Sequence, residues 1–357
     1  MTRPCAGQIP VVVITGFLGS GKTTLLNHLL HRSGGSRIGA IVNDFGSIEI
    51  DAMAVAGQLG DSTVSLGNGC LCCAVDASEL DVYLEKLAQP SARIDVIVIE
   101  ASGLAEPQEL VKMVLASENP HIVYGGLVGV VDAAEFDATR QAHPEVDRHL
   151  GIADLVVVNK ADRVLAEELE RITGVVRGFA DRAAVVPASY GRVDVELLLD
   201  RKPVGERVGQ LSFDDLHGHE DSHEHGAGHH DHLHSAYESL SFSSEVPMGP
   251  RPFMAFLDSR PEGLYRIKGY VDFGAADPRN KYAVHAVGRF LRFYPEPWAA
   301  GEPRLTQLVL IGSGIDVPAL EKELGASRDD APQAGADEHS MWGVLRYVQE
   351  PEPGPLD

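Results

Sequence analysis

The sequence predicts an α/β protein with a mostly parallel sheet that carries helices on both faces, followed by a smaller α+β domain. Apolar, β-branched runs alternate with helical patterns over roughly the first 200 residues, at 9–15, 37–42, 94–99, 127–131 and 155–158. Polar segments follow these runs, as expected at the carboxyl edge of an open parallel sheet. Near Asp200 the alternation stops.

Length and composition limit the class of protein. The 357 residues favour two domains, or one large domain with an appendage, and a hydrophobic content of 44% suffices for a real core. A net charge of −22 argues against nucleic-acid partners and against anionic membranes. The amino terminus lacks an apolar signal core, and no run of 18 apolar residues occurs, so we expect a soluble cytoplasmic protein.

A phosphate-binding loop connects the first predicted strand to the first predicted helix, at 22–32. The segment from Gly16 to Thr24 fits the pattern G-x-x-x-x-G-K-[ST] in a strand–loop–helix context. We expect backbone N–H groups to surround phosphate oxygens, Lys22 to contact the β- and γ-phosphates, and Thr23 to ligate Mg²⁺. The alternative is a glycine-rich turn without a ligand. The candidate nucleotide-binding residues are Gly16, Gly19, Ser20, Gly21, Lys22, Thr23 and Thr24.

Two further strand ends carry candidate nucleotide residues. Glu100 ends the 94–99 run, where a carboxylate would hold the Mg²⁺ shell, and the Gly103 N–H could sense the γ-phosphate. The alternative is an ordinary strand-end acid. The run at 155–158 is followed by Asn159, Lys160, Ala161 and Asp162, and this N-K-x-D arrangement is typical of guanine recognition. The alternative is a plain loop; Ala184 to Ser189 resembles the last guanine-contacting loop.

A cluster of thiols is the candidate transition-metal site. Of the four cysteines, Cys70, Cys72 and Cys73 fall within four residues, which is a poor disulfide framework and a good thiolate cluster for Zn²⁺. Three thiolates leave the fourth coordination position of a tetrahedral site open. Asp44 and Glu49 of the polar segment 43–51 are candidate ligands for that position. Small buried hydrophobes or a redox pair are the alternatives.

A histidine-rich tract lies between the two predicted domains. Residues 217–234 contain eight histidines and four acids and no Lys or Arg, so the tract cannot form a core. It is either an auxiliary metal-capturing tether or simply a polar linker. The candidate ligands are His217, His219, His223, His225, His229, His230, His232 and His234.

The remainder predicts a small α+β domain without a catalytic constellation. We expect strands at 252–257, 282–293 and 306–311, a turn and strand at 263–273, a helix at 317–324, and a strand-like island at 341–348 in a poorly ordered tail. The predicted division is a nucleotide-binding domain at 1–200, a flexible His-rich linker at 201–247, the α+β domain at 248–328 and an acidic, Pro-rich tail at 329–357.

The order of these motifs resembles that of a known family. The chain resembles the CobW family of P-loop GTPases. The resemblance rests on six motifs taken together: the phosphate loop, the G-C-L-C-C segment, the E-x-x-G of Glu100, the N-K-A-D segment, and the later R-I-K-G-Y and L-V-L-I-G-S-G. The resemblance implies a SIMIBI-type P-loop NTPase domain with a CobW C-terminal domain. It also implies slow GTP hydrolysis to GDP and phosphate, and metallochaperone or metal-insertase activity toward a client metalloprotein.

The resemblance assigns roles residue by residue. Lys22, Thr23 and Glu100 would be catalytic, and Thr23 and Glu100 would also hold Mg²⁺. Asn159, Lys160 and Asp162 would recognise guanine. The three cysteines would bind Zn²⁺ or Co²⁺. The chain departs from the family at the first switch, where Asn-Glu-Phe-Gly-Glu is replaced by residues 43–47, Asn-Asp-Phe-Gly-Ser. The missing carboxylate weakens the case for an acidic fourth ligand there.

The leading hypothesis is a GTP-gated metal carrier that releases Zn²⁺ to a client when GTP is hydrolysed. The alternatives are a metal buffer with incidental GTPase activity, a cobalt-delivering homologue for cobalamin or nitrile hydratase assembly, and a small-molecule kinase. The N-K-A-D segment argues against the kinase. The sequence leaves monomer and dimer open.

Overall fold

The structure is a computed structural model that describes most of the chain. The described residues are 8–33, 36–42, 63–65, 77–103, 105–199, 237–329 and 339–348. Within them, no helix is long and apolar enough to cross a membrane.

The first part of the chain forms a seven-stranded, entirely parallel sheet with the order β3-β2-β4-β1-β5-β6-β7. The strands are β1 (Ile9–Thr15), β2 (Ile38–Val42), β3 (Thr63–Ser65), β4 (Val96–Glu100), β5 (Ile122–Asp132), β6 (Leu155–Asn159) and β7 (Ala184–Pro187). Because all strands are parallel, their carboxyl ends lie at one edge, where the predicted site residues follow them.

Helices cover both faces of this sheet, as predicted. The described helices of this part are α1 (Lys22–His31), α2 (Ala77–Ala88), α3 (Pro107–Ala116), α4 (Phe136–Ala142), α5 (Glu145–Gly151) and α6 (Ala166–Phe179). In β1, Val12 and Ile14 pack with leucines of α1 on one face, while Val11 and Val13 pack with α2 and α3 on the other. A strand buried on both faces explains the unbroken apolar run.

The second part forms a separate, antiparallel five-stranded sheet with the order β11-β10-β9-β12-β8. Its strands are β8 (Glu238–Ser244), β9 (Leu264–Val271), β10 (Asn280–Val287), β11 (Phe290–Pro297) and β12 (Thr306–Gly312). Three helices, α7 (Pro250–Asp258), α8 (Val317–Ala326) and α9 (Trp342–Leu345), contribute to its core.

The structure corrects three predicted strands. The run 282–293 is not one strand but parts of two, β10 and β11, which pair as a hairpin through a turn at 288–289. The run 252–257 is not a strand but lies in α7, whose first turn holds Pro250 and whose Phe253 and Leu257 are buried one turn apart. The island at 341–348 contains the helix α9 rather than a strand, with Met341 and Val344 in the core of the second sheet. The last two runs are short and apolar, and such runs fit a buried strand and a buried helix equally.

The bounds of the predicted domains also differ from the observed elements. The second sheet begins with β8, inside the stretch predicted as linker, and α9 lies inside the predicted tail. Serine-rich β8 alternates exposed and buried residues, and its few apolar residues make its periodicity weak in the sequence. Apart from these two elements, the predicted domain boundaries at 200 and 248 stay predictions.

A buried polar cluster joins the two sheets. The Asp154 carboxylate, just before β6, accepts hydrogen bonds from the Tyr124 hydroxyl at 2.6 Å and the Leu127 N–H at 2.9 Å. From the second sheet, the His285 ring donates through Nε2 to the Tyr124 carbonyl at 2.9 Å. Gly288 closes over Asp154: a Cβ there would lie 1.6 Å from Oδ1. The two parts therefore share a buried interface.

Candidate functional site

The phosphate loop has a backbone that requires glycine. Gly16, Gly19 and Gly21 have φ values of +147°, +76° and +105°, which side chains rarely adopt. A Cβ at Gly16 would lie 2.2 Å from the Val130 carbonyl oxygen of β5. Gly21 is the N-cap of α1 and leads into the helix that carries Lys22. The loop thus delivers the N-terminus of a helix to the carboxyl edge of the sheet, an arrangement that suits phosphate.

Lys22 folds back toward the loop that precedes it. Its ammonium donates to the carbonyl oxygens of Gly16 at 2.9 Å and Phe17 at 3.2 Å, and the residue is buried. Both acceptors are uncharged, so a phosphate oxygen offers this ammonium a stronger acceptor at the same loop.

Thr23 and Glu100 are brought together across 77 residues of sequence. The Thr23 hydroxyl donates to Glu100 Oε1 at 2.7 Å, and Glu100 is 3% exposed at the end of β4. A hydroxyl and a carboxylate side by side are the hard oxygen donors that suit Mg²⁺. The residues therefore fit the predicted magnesium site.

The segment after Glu100 lies against the phosphate loop. The Ala101 N–H donates to the Ile14 carbonyl at 2.8 Å. A Cβ at Gly103 would lie 2.8 Å from the Leu18 backbone nitrogen. The second candidate switch therefore lies directly against β1 and against the phosphate loop at Leu18.

Asn159 connects two loops. Its Nδ2 donates to the Ser20 carbonyl at 2.9 Å, and its Oδ1 accepts from the Gly191 N–H at 2.8 Å, with the side chain fully buried. It therefore positions the phosphate loop relative to the turn at 189–192. Asp162 lies nearby in a short 3₁₀ helix (Ala161–Arg163) and is exposed, accessible to a ligand.

Lys160 has a partner that the motif did not identify. Its backbone is left-handed (φ +58°), and its ammonium donates to Asp132 Oδ2 at 2.5 Å. Asp132 ends β5, paired with Asn159 at the end of β6. The only sequence signal for this partner was its position as a strand-end acid.

The turn at 189–192 contains a second unanticipated residue. Tyr190 has a left-handed backbone (φ +57°), and 65% of the residue is exposed. Apart from its place after the predicted guanine loop, nothing in the sequence marks it.

A cavity of about 330 Å³ lies beside the phosphate loop, on the side of α4 and α5. Phe17, Val130, Phe136 and Leu150 give it mostly apolar walls, and Lys160 lies at its margin. Residues 21–24 do not line it. Gly16, Gly19 and Ser20 do line it, so the cavity adjoins the amino-terminal half of the phosphate loop.

The predicted transition-metal ligands fall outside the described residues. This applies to Cys70, Cys72, Cys73, Asp44 and Glu49, and to all eight histidines of the 217–234 tract. Within the described ranges, no group of three or more His, Cys, Asp or Glu side chains is placed to hold a metal ion. These assignments stay predictions.

Comparison with known proteins identifies the family. Residues 10–187 match the model of the CobW/HypB/UreG nucleotide-binding domain, and residues 237–328 match that of the cobalamin synthesis protein cobW C-terminal domain. A zinc chaperone CobW from Sinorhizobium is 34% identical, covering 87% of this chain and 94% of the relative. A zinc chaperone CobW from Pseudomonas aeruginosa is 35% identical, covering 89% and 91%.

A solved structure is also similar. The Zn(II)-bound YjiA GTPase from E. coli is 22% identical, with a TM-score of 0.43, covering 92% of this chain and 100% of that one. The two matched domains follow each other along the chain, and the similarity to the two CobW proteins extends over most of its length. The chain belongs to the CobW family, with a nucleotide-binding domain of the CobW/HypB/UreG type and a CobW C-terminal domain.

Proposed function

We propose that this chain is a GTP-dependent zinc carrier that binds Zn²⁺ through Cys70, Cys72 and Cys73 and releases it to a client metalloprotein when GTP is hydrolysed. The observation that carries the proposal is the 2.7 Å contact between Thr23 and Glu100, which joins the phosphate loop to the start of the second candidate switch. Support for the metal comes from the relatives, which are named zinc chaperones.

The nucleotide half of the proposal uses the phosphate loop. The loop N–H groups and Lys22 orient the β- and γ-phosphates, and Thr23 with Glu100 would hold Mg²⁺. When bound, the ion neutralises charge that develops on the phosphates. Asp162 accepts hydrogen bonds from guanine N1–H and the exocyclic amine, a pair that adenine does not offer.

The coupling between nucleotide and metal is proposed to run along the carboxyl edge of the sheet. There β2 ends at Val42, directly before the first candidate switch, and β4 ends at Glu100, directly before the second. Edge strand β3 ends at Ser65, so the chain leaves the same edge five residues before Cys70. If nucleotide and zinc affinities are coupled, each must change the other by the same factor.

A metal titration in GTP, in GDP and without nucleotide tests the proposal. With competing Zn²⁺ and Co²⁺, we expect zinc affinity to depend on the nucleotide in the wild type. The triple variant C70S/C72S/C73S should lose both the affinity and its nucleotide dependence, whereas Cys5→Ser, a matched control outside the cluster, should keep both. Unchanged zinc binding in the triple variant would refute the site.

The same titration separates the carrier from the buffer. A buffer would hold several ions loosely, with an affinity that does not differ between GTP and GDP. Deleting residues 217–234 should then remove most of its capacity. In the carrier, the deletion leaves one nucleotide-sensitive zinc site at the cysteines.

A further inference from the structure

The turn at 189–192 is held rigidly although its tyrosine is exposed. An antiparallel bridge joins Ser189 and Arg192, whose N–H donates to the Ser189 carbonyl at 3.1 Å. The left-handed conformations of Tyr190 (φ +57°) and Gly191 (φ +65°) give the turn its shape. A non-glycine residue in this region is uncommon, and such strain persists where the surroundings impose it, often at binding sites.

Two elements of the nucleotide site fix this turn in place. The Gly191 N–H donates to Asn159 Oδ1 at 2.8 Å. On the other side Gly191 presses against α1, where a Cβ would lie 2.7 Å from the Leu25 nitrogen. The ring of His28, also on α1, hydrogen-bonds through Nε2 to the Val193 carbonyl at 2.8 Å. The turn therefore keeps a fixed position relative to both the phosphate loop and the N-K-x-D segment.

Tyr190 is exposed on a turn that adjoins that segment, where the Ala161 N–H donates to the Ala188 carbonyl at 3.0 Å. The residue is 65% exposed, and the guanidinium carbon of Arg192 lies 5.8 Å from the ring centroid. An exposed ring on a rigid turn stacks on a planar ligand at little entropic cost, since the backbone is already ordered. A guanidinium at this distance adds a favourable cation–π contact.

We infer that Tyr190 is the base-stacking residue of the nucleotide site, with its ring against one face of the guanine. The inference rests on the proposed function, because it requires a guanine nucleotide beside Asp162. It also gives Tyr190 and Asp162 different roles in binding the base. Stacking by Tyr190 supplies affinity for any purine, since every base has a π-face, while hydrogen bonds to Asp162 discriminate guanine.

Titrations with fluorescent mant-GDP, competed by GDP and by IDP, test this inference. Base–aromatic stacking corresponds to a roughly 5- to 150-fold effect on affinity, so Tyr190→Ala should weaken GDP by a factor in that range. Tyr190→Phe keeps the ring and should stay within about twofold. Tyr190→Asn removes the ring but readily adopts the left-handed conformation, so it should bind as weakly as Tyr190→Ala with the turn intact.

The ratio of GDP to IDP affinity separates stacking from hydrogen bonding. IDP lacks the exocyclic amine, so Tyr190→Ala should weaken both nucleotides equally, whereas Asp162→Ala should weaken GDP more than IDP. Trp342→Ala is the matched control, because Trp342 is 61% exposed on α9 in the other part of the molecule. It should leave both affinities unchanged.

The outcomes distinguish this inference from the proposed function. If the wild type binds GDP and Tyr190→Ala binds it within about twofold, the stacking role is wrong and the proposed function stands. If Tyr190→Phe weakens GDP as much as Tyr190→Ala, the hydroxyl rather than the ring is responsible, and the inference also fails. If the wild type does not bind GDP, the proposed function fails and the inference with it.

Discussion

The polar cluster between the two sheets predicts a pH-dependent cost for one small substitution, Tyr124→Phe. Asp154 is 8% exposed and accepts hydrogen bonds from the Tyr124 hydroxyl and the Leu127 N–H. Burial raises the pKa of Asp154 from 3.8 to about 6, although these hydrogen bonds and the nearby Arg260 partly oppose the rise. Near pH 7 the carboxylate is therefore charged, and the hydrogen bonds donated by Tyr124 and Leu127 stabilise that buried charge.

The sign of the pH dependence follows from the raised pKa. Between pH 3.8 and about 6 the native state binds more protons at Asp154 than the unfolded state, so this residue's contribution to stability falls as pH rises through that window. A difference of about two between native and unfolded pKa values corresponds to roughly 3 kcal/mol. Above pH 6 the full cost of burying the charge is present.

Tyr124→Phe removes the hydroxyl donor and little else. At pH 8 it breaks a hydrogen bond to a charged acceptor, which we expect to lower the free energy of unfolding by about 1.5–3 kcal/mol. At pH 5.5 Asp154 is mostly protonated and the bond is between neutral groups, so the loss should fall to about 0.5–1.5 kcal/mol. Urea denaturation followed by circular dichroism at the two pH values measures both losses.

A second tyrosine provides the matched control. The Tyr282 hydroxyl donates to Asp277 Oδ2 at 2.7 Å, and hydrogen bonds to the carboxylate lower the pKa of Asp277 despite the opposing, largest effect of burial. Asp277 is thus charged at both pH values, and Tyr282→Phe should cost the same at each. A Tyr124→Phe cost that is equal at the two pH values, or greater at pH 5.5, would refute the reasoning about Asp154.

Two other substitutions have definite expected results. Asn159→Ala removes two hydrogen bonds that position the phosphate loop, so GDP affinity should fall by at least about tenfold in fluorescence titrations. Unchanged affinity would show that the phosphate loop and the turn at 189–192 keep their positions without Asn159. Gly16→Ala forces a Cβ to within 2.2 Å of the Val130 carbonyl and should lower the free energy of unfolding by about 3 kcal/mol or more, by urea denaturation. Gly174→Ala, in open space on α6, should instead raise it by about 0.5–1 kcal/mol, and a loss there would contradict the helix assignment.

The sequence predicted the first sheet well because its signals are local. The apolar run of β1, the glycines of the loop and the leucines of α1 are contiguous, and each signal fits a single kind of structure. The sequence assigned Thr23 and Glu100 to one magnesium site without predicting their direct contact, which arises because β1 and β4 are parallel neighbours whose carboxyl ends lie at one edge.

The parts that the sequence did not predict depend on tertiary packing. The run 252–257 predicts a strand, because six apolar or aromatic residues in a row carry no clear period. Burial against the second sheet makes it part of helix α7 instead. The pairing of Lys160 with Asp132 and the Asp154 cluster require a register between distant strands, which composition does not fix.

Strands β5 and β6 connect the interface cluster to the nucleotide site, yet we do not expect them to transmit a signal. Tyr124 and Asp154 lie toward their amino ends, while Asp132 and Asn159 are paired at their carboxyl ends. Both strands are almost entirely buried and hydrogen-bonded on either side, and coupling requires an element with two discrete arrangements.

It follows that Tyr124→Phe should lower stability and leave GDP affinity at pH 8 within about twofold of the wild type, since both strands are buried and paired on either side. Any nucleotide-dependent change would then arise in the segments that leave the carboxyl edge, after Val42 and Glu100. Fluorescence titration of mant-GDP in the absence of urea measures this. A tenfold loss of affinity would instead mean that the two sheets move relative to each other as part of nucleotide binding.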